Sequence, residues 1–172
     1  SANWLWHGFL HAKSTTLLSA IWKSGKTTIL AHLLRAFDHG EMFCGREVMP
    51  ARILYVSEES KTRWAKRRDA LGLGNNVHFL CRPFRVKPNK STFLKFVEYL
   101  DQLNRQNNFD LVVLDTDCLT PECATQIFGT DGFRPGGWGE TIWVRDGVVF
   151  AREIAAPACE QALADHIREL LV

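Results

Sequence analysis

Between residues 15 and 28 the chain runs Thr15-Thr16-Leu17-Leu18-Ser19-Ala20-Ile21-Trp22-Lys23-Ser24-Gly25-Lys26-Thr27-Thr28. A short apolar strand passes into a tight loop, and Gly-Lys-Thr then opens a helix. A loop of this kind surrounds an anion with backbone N–H groups and the positive end of a helix dipole. Ile21, Trp22, Lys23, Ser24, Gly25, Lys26, Thr27 and Thr28 are therefore the expected phosphate-binding positions. Lys26 supplies a point charge for β- and γ-phosphates, and the Thr27 hydroxyl is placed to ligate Mg²⁺. The pattern G-x-x-x-x-G-K-[ST] has Ala20 where its first glycine belongs. Alanine fits there if φ stays negative, whereas a left-handed conformation costs about 1 kcal/mol or more. The plainer alternative for the triplet is a basic turn with no ligand.

Two further groups could complete such chemistry. Arg52-Ile53-Leu54-Tyr55-Val56-Ser57-Glu58-Glu59-Ser60 is a buried-strand pattern that ends in two carboxylates. Ligands of open α/β sheets bind at the carboxyl ends of the strands. A carboxylate there, from Glu58 or Glu59, can orient a water for attack on a γ-phosphate. The other reading of Glu58 or Glu59 is that it starts the next helix, where the dipole favours negative charge. Asp110-Leu111-Val112-Val113-Leu114-Asp115 is a second apolar strand ending in a carboxylate. Downstream of a phosphate loop, such an aspartate holds the metal side of the nucleotide, so Asp115 joins Thr27 as a metal residue.

The segments that must position these groups alternate strand and helix. Ile29, Leu30, Leu33, Leu34 and Phe37 fall on one helical face, and Gly40 is a plausible stop. The segment 61–71 is a basic helix ending at Gly72, with five cations in its first eight residues and Trp64 among them. It suits a nucleic-acid backbone, or it is a solvated face with Trp64, Ala65 and Leu71 turned inward. Val77–Arg82 is a further strand. Ser91 or Thr92 can cap a helix carrying Leu94, Val97, Leu100 and Leu103 along one face. The aromatic opening, Trp4 to Leu10, is either a packed arm or a cover for an adenine ring, with packing the preferred reading. His7 and His11 are read as ordinary polar residues.

The quoted motifs resemble the RecA-like group of phosphate-loop ATPases, in particular AAA-family ATPases similar to plasmid and phage replicative helicases of the RepA type. The resemblance spans about residues 3–116 and rests on Trp22 to Thr28, Leu54 to Ser60 and Leu111 to Asp115. It implies ATP and Mg²⁺ as ligands, Glu58 as the catalytic glutamate, Asp115 as the metal-side aspartate, a ring or filament of copies, and single-stranded or duplex DNA nearby.

The rest of the chain departs from that pattern. Thr116 to Gly139 is rich in turn residues where further core strands would be expected. Asp146-Gly147 is a two-residue turn between Thr141–Arg145 and Val148–Arg152, with Val144 opposite Val149 and Trp143 opposite Phe150. Pro157 starts a final helix.

The 172 residues are 46% hydrophobic and 23% charged, an ordinary globular composition. Five scattered cysteines form no C-x-x-C pair, which argues against zinc and for reduced thiols. The net charge of +2 conceals an asymmetry: residues 1–110 hold 17 basic and 9 acidic side chains, residues 111–172 hold 4 and 10. A basic front suits an anionic partner, or the two ends attract each other within the fold. No apolar run approaches a membrane span of about 18 residues, so a cytoplasmic protein with no membrane partner is expected.

The expected fold is a three-layer α/β domain of the phosphate-loop, RecA-like kind. Its mainly parallel sheet would hold Thr15–Leu18 and Leu111–Leu114 side by side or one strand apart. Residues 1–116 form the ATPase core, and 117–172 add a turn-rich segment, a hairpin and a helix packed on the same domain. The expected function is Mg²⁺-dependent ATP binding and slow hydrolysis linked to DNA replication, recombination or repair. The alternative is a non-catalytic nucleotide-binding or interaction module built on a degenerate core.

Overall fold

A computed structural model describes residues 3–18 and 25–115, together with the backbone of strands 140–145 and 148–154. In chain order the elements are β1 (Trp4–Trp6), β2 (Leu10–His11), β3 (Thr15–Leu18), α1 (Lys26–His39), β4 (Ile53–Ser57), α2 (Lys61–Leu71), β5 (Val77–Cys81), α3 (Lys90–Asn107), β6 (Leu111–Asp115), β7 (Glu140–Arg145) and β8 (Val148–Ile154).

The centre is β4. All five of its residues are buried, and it pairs in parallel with β5 on one side and β6 on the other. A strand covered on both faces has no reason to alternate, which is why Ile53-Leu54-Tyr55-Val56 is a continuous apolar run. Ile53 and Tyr55 join a core with Leu33, Leu34 and Phe37 of α1, Trp64 of α2 and Val77 of β5. Leu54 and Val56 point the other way, into a second core with Phe93, Phe96 and Leu100 of α3. Helices thus cover both faces of the parallel sheet, as the alternation of strand and helix requires. The carboxyl ends of the three strands are level: Ser57 is opposite Cys81 and also opposite Asp115.

Helix ends follow local chemistry. Gly40 and Gly72 close α1 and α2 in the left-handed conformation, as their sequence suggests. Ser60 caps α2 by accepting from the Arg63 N–H. The cap of α3 is Asn89, whose side chain accepts from the Thr92 N–H at 2.9 Å, so neither Ser91 nor Thr92 is the cap. The buried stripe of α3 is also rotated from the expected one. Phe93, Phe96 and Leu100 are buried, while Leu94 and Val97 are 36% and 41% exposed. The helix is apolar over more than one stripe, and the larger aromatic pair takes the sheet side because it removes more apolar area from water. In α1, Ile29 is likewise exposed, with Ala31 and Ala36 buried instead.

The position of β3 differs from expectation. It does not lie in the β5-β4-β6 sheet; it pairs antiparallel with β7, which pairs with β8, in a separate three-stranded sheet. Two of its four residues are threonines, both exposed, and Leu18 is 49% exposed. A strand of that make-up suits a sheet edge better than the doubly covered position filled by the all-apolar part of β4. The hairpin of β7 and β8 forms as expected, with Val144 opposite Val149, but Trp143 is opposite Ala151 and not Phe150. Phe150 is one extra residue on β8, a β-bulge that shifts the register.

The N-terminal arm packs. Leu5, Trp6 and Leu10 lie against the first core, and Trp6 stacks on Phe9 and donates its indole N–H to the Phe43 carbonyl at 3.3 Å. Trp4 meets the rings of His7 and His11. In α2, Trp64 is buried and Leu71 half-buried, but Ala65 is exposed. The turn-rich stretch 116–139 and the helix expected from Pro157 lie outside the described residues.

Candidate functional site

The first turn of α1 carries Lys26 and Thr27 directly after Gly25. Gly25 has φ 91° and ψ 17°, a left-handed geometry that explains glycine at this position. Among the described residues no side chain caps the helix, and no acidic residue of the helix itself stands in its first turn. The positive end of its dipole is therefore not offset by a carboxylate of its own. Lys26 is half-buried.

This helix start faces the carboxyl end of β6. The Thr27 hydroxyl donates to Asp115 Oδ2 at 3.3 Å, joining residues 88 positions apart. Both are hard oxygen donors, and together they carry one negative charge. That donor set fits Mg²⁺, which binds through one or two protein oxygens and completes its shell with water and substrate phosphates. The contact brings together the two residues that the sequence singled out for a metal.

A third group reaches the same oxygen. Tyr55 donates its hydroxyl to Asp115 Oδ2 at 2.6 Å and is itself fully buried. Burial first, then the hydrogen bond and negative charge of Asp115, push the Tyr55 phenol far above its ordinary range, against a smaller opposing effect of Arg67. Tyr55 therefore stays protonated and keeps donating. Sequence reasoning did not single it out. Its signal was a phenol in an otherwise aliphatic buried strand, since such a hydroxyl must find a partner.

The two adjacent carboxylates have separate surroundings. Glu59 is held by Arg67, with one N–H to Oε1 at 3.1 Å and a second contact to Oε2, and lies 3.6 Å from Arg63. Its backbone N–H donates to Ser57 Oγ at 3.1 Å. Glu59 thus anchors the start of α2. Glu58 lies half-buried just beyond the strand, and its N–H points to the Asp115 carbonyl at 3.4 Å. It is tied through the backbone to the strand that ends in Asp115. Cys81, level with Ser57, has its thiol pushed up by burial, with Lys61 and Arg82 opposing.

The structure brings Lys26, Thr27, Glu58 and Asp115 to the helix start and strand ends expected of them, and joins Thr27 to Asp115. Ile21, Trp22, Lys23 and Ser24, together with Ala20, lie outside the described residues. Among the described residues no cluster of three or more His, Cys, Asp or Glu is placed to hold a metal, and no helix is long and apolar enough to cross a membrane.

A family model described as an AAA domain matches residues 1–117, well over half of the chain. No curated protein and no solved structure matches it. With a glycine–lysine–threonine helix start against a strand-end aspartate, and a parallel sheet flanked by helices, the chain belongs to the AAA domain family and carries a nucleotide-binding, ATPase-like phosphate-loop domain.

Proposed function

We propose that this chain binds Mg²⁺-ATP and hydrolyses it in the service of DNA replication, recombination or repair. The observation that carries the reading is the 3.3 Å contact of Thr27 with Asp115, which sets the start of α1 against an acidic strand end. Ile21 to Thr28 wrap the phosphates, and Lys26 clamps them with its charge. Thr27 and Asp115 hold the metal, which when bound neutralises phosphate charge. Glu58 accepts a proton from the attacking water or orients it; its place just past β4, with its backbone N–H toward the Asp115 carbonyl, supports this. Residues 1–116 do this chemistry, with 117–172 on the same domain; the pairing of β3 with β7 supports that continuity.

Calorimetry with ATP and Mg²⁺ tests the site. Lys26→Ala removes a charge-assisted contact and should weaken binding by about ten- to a hundred-fold, the equivalent of 1.5–3 kcal/mol for hydrogen bonds to charged groups. Unchanged affinity rejects the assignment. Glu58→Gln should keep ATP affinity and lower turnover by about 10²–10⁴-fold, the usual weight of a general base.

A second reading is a nucleotide-binding module without catalysis. Ala20 in the loop favours it, as does β3 pairing outside the parallel sheet. Phosphate release measured with and without single-stranded DNA separates the two: clear ATP binding with no turnover in either condition supports the module. DNA and further copies of the chain are the proposed partners, and the cytoplasm is the proposed compartment.

A further inference from the structure

We propose that Tyr55 is a positioning residue for the metal-side carboxylate: its hydroxyl holds Asp115 Oδ2 at 2.6 Å and so fixes the direction in which Asp115 meets the metal of a bound nucleotide. The inference rests on the Mg²⁺-ATP reading of the site.

The geometry leaves Tyr55 little else to do. It sits two residues before the strand end, opposite Val113, and its ring reaches along the sheet face to the carboxylate of Asp115. The ring is held at 4.6 Å from Trp64 and 5.9 Å from Phe79, centroid to centroid. Those contacts fix the phenol without using its hydroxyl. A phenylalanine would satisfy the same packing, so the hydroxyl serves Asp115 alone.

Asp115 is the last residue of β6, in register with Ser57 of β4. Among the described residues its side chain accepts two hydrogen bonds, from Tyr55 and from Thr27, both on Oδ2. The Thr27 bond is the longer, at 3.3 Å against 2.6 Å, and the Thr27 oxygen is itself wanted by the metal. When Thr27 turns to that role, the Tyr55 bond is what remains to hold the carboxylate. Groups that orient a ligating side chain commonly change metal affinity by about 10–100-fold.

The test is Tyr55→Phe in the full chain, with a fluorescent ATP analogue titrated at several Mg²⁺ concentrations and again in EDTA. The expected result is an EDTA affinity within about twofold of the parent and a Mg²⁺ midpoint raised about tenfold, at the low end of such effects. The melting temperature of the nucleotide-free protein serves as the second readout. A purely structural tyrosine would lower it and weaken binding equally with and without metal, and that pattern overturns the proposal. Asp115→Asn separates the two layers of the argument. If Asp115→Asn raises the Mg²⁺ midpoint and Tyr55→Phe does not, the role of Tyr55 is rejected and the metal assignment stands. If neither moves it, the metal-side reading fails as well. In the double variant the effect of Tyr55→Phe should vanish, because the charge it orients is gone; simple additivity counts against positioning.

Discussion

Asp115 gathers two side chains that lie far from it in the chain, and the type of each follows from its duty there. Thr27 offers a hydroxyl small enough to sit in the first turn of a helix, and Tyr55 offers one at the end of a rigid ring that packs in the core. Gly25 acts through the backbone alone. An added Cβ there would meet nothing within 4 Å, so substitution is opposed by conformation and not by crowding. With φ at 91°, Gly25→Ala should destabilise by about 1 kcal/mol or more, or bend the loop away from its phosphate-binding form. Thermal melting and ATP calorimetry on that variant should show one loss or the other. A variant with unchanged melting and unchanged affinity would show that the left-handed geometry is not needed.

Among the elements, α2 changes most between its sequence and its place in the fold. Of its five cations in the first eight residues, Arg67 is bound to Glu59 and lies 4.9 Å over the Trp64 ring. Arg68 donates to the carbonyls of Leu73 and Gly74 just past the helix end. These two hold the helix in place. Lys61, Arg63 and Lys66 are exposed, Arg63 also lying 3.6 Å from Glu59, and they are the cations most open to a nucleic-acid backbone. If they contact DNA phosphates, reversing the three charges should weaken binding regardless of sequence and flatten its salt dependence. Each lost contact removes roughly 0.7–0.9 from the slope of log affinity against log salt. Fluorescence anisotropy with single-stranded and duplex probes over a salt series checks this, and binding that ignores salt assigns the helix to solvent. Arg67 is left out of that variant because its loss would release Glu59.

The molecule as a whole is a nucleotide-binding, ATPase-like domain, and its speed turns on how it stabilises a transition state. Fast phosphoryl transfer needs positive charge around the γ-phosphate, and an absent arginine finger costs about 10³–10⁵-fold in turnover. Among the described arginines, Arg67 is already paired with Glu59, and Arg82 directly follows β5 with its backbone N–H on the Ser57 carbonyl. Arg145 and Arg152 stand on β7 and β8, Arg134 and Arg168 lie outside the described residues, and none occurs in a finger-like motif. Lys23 in the loop is a partial substitute at best. Steady-state phosphate release by the purified chain should therefore fall well below the roughly 1 s⁻¹ at which working enzymes begin. A rate near 10 s⁻¹ would show that the tail or Lys23 supplies the missing charge.

The amino-acid sequence by itself determined the helix start at Lys26, the buried strand 53–57, the strand ending in Asp115, and the glycine stops at Gly40 and Gly72. Those features depend on neighbours within a few residues: a left-handed glycine, a continuous apolar run, a cap. The residue types at 26, 27, 58 and 115 likewise raised the expectation of a phosphate site before any contact was known. Tertiary structure decided what depends on distant partners. It chose Phe93 and Phe96 over Leu94 and Val97 for the covered face of α3, because both stripes are apolar and only the sheet distinguishes them. It sent β3 to β7, since four residues with two threonines carry no mark of which strand they will meet. It bound Glu59 to Arg67, two turns along α2. And it made Tyr55 part of the site, because nothing in a run of five buried residues says that a hydroxyl will end beside a carboxylate 60 positions away.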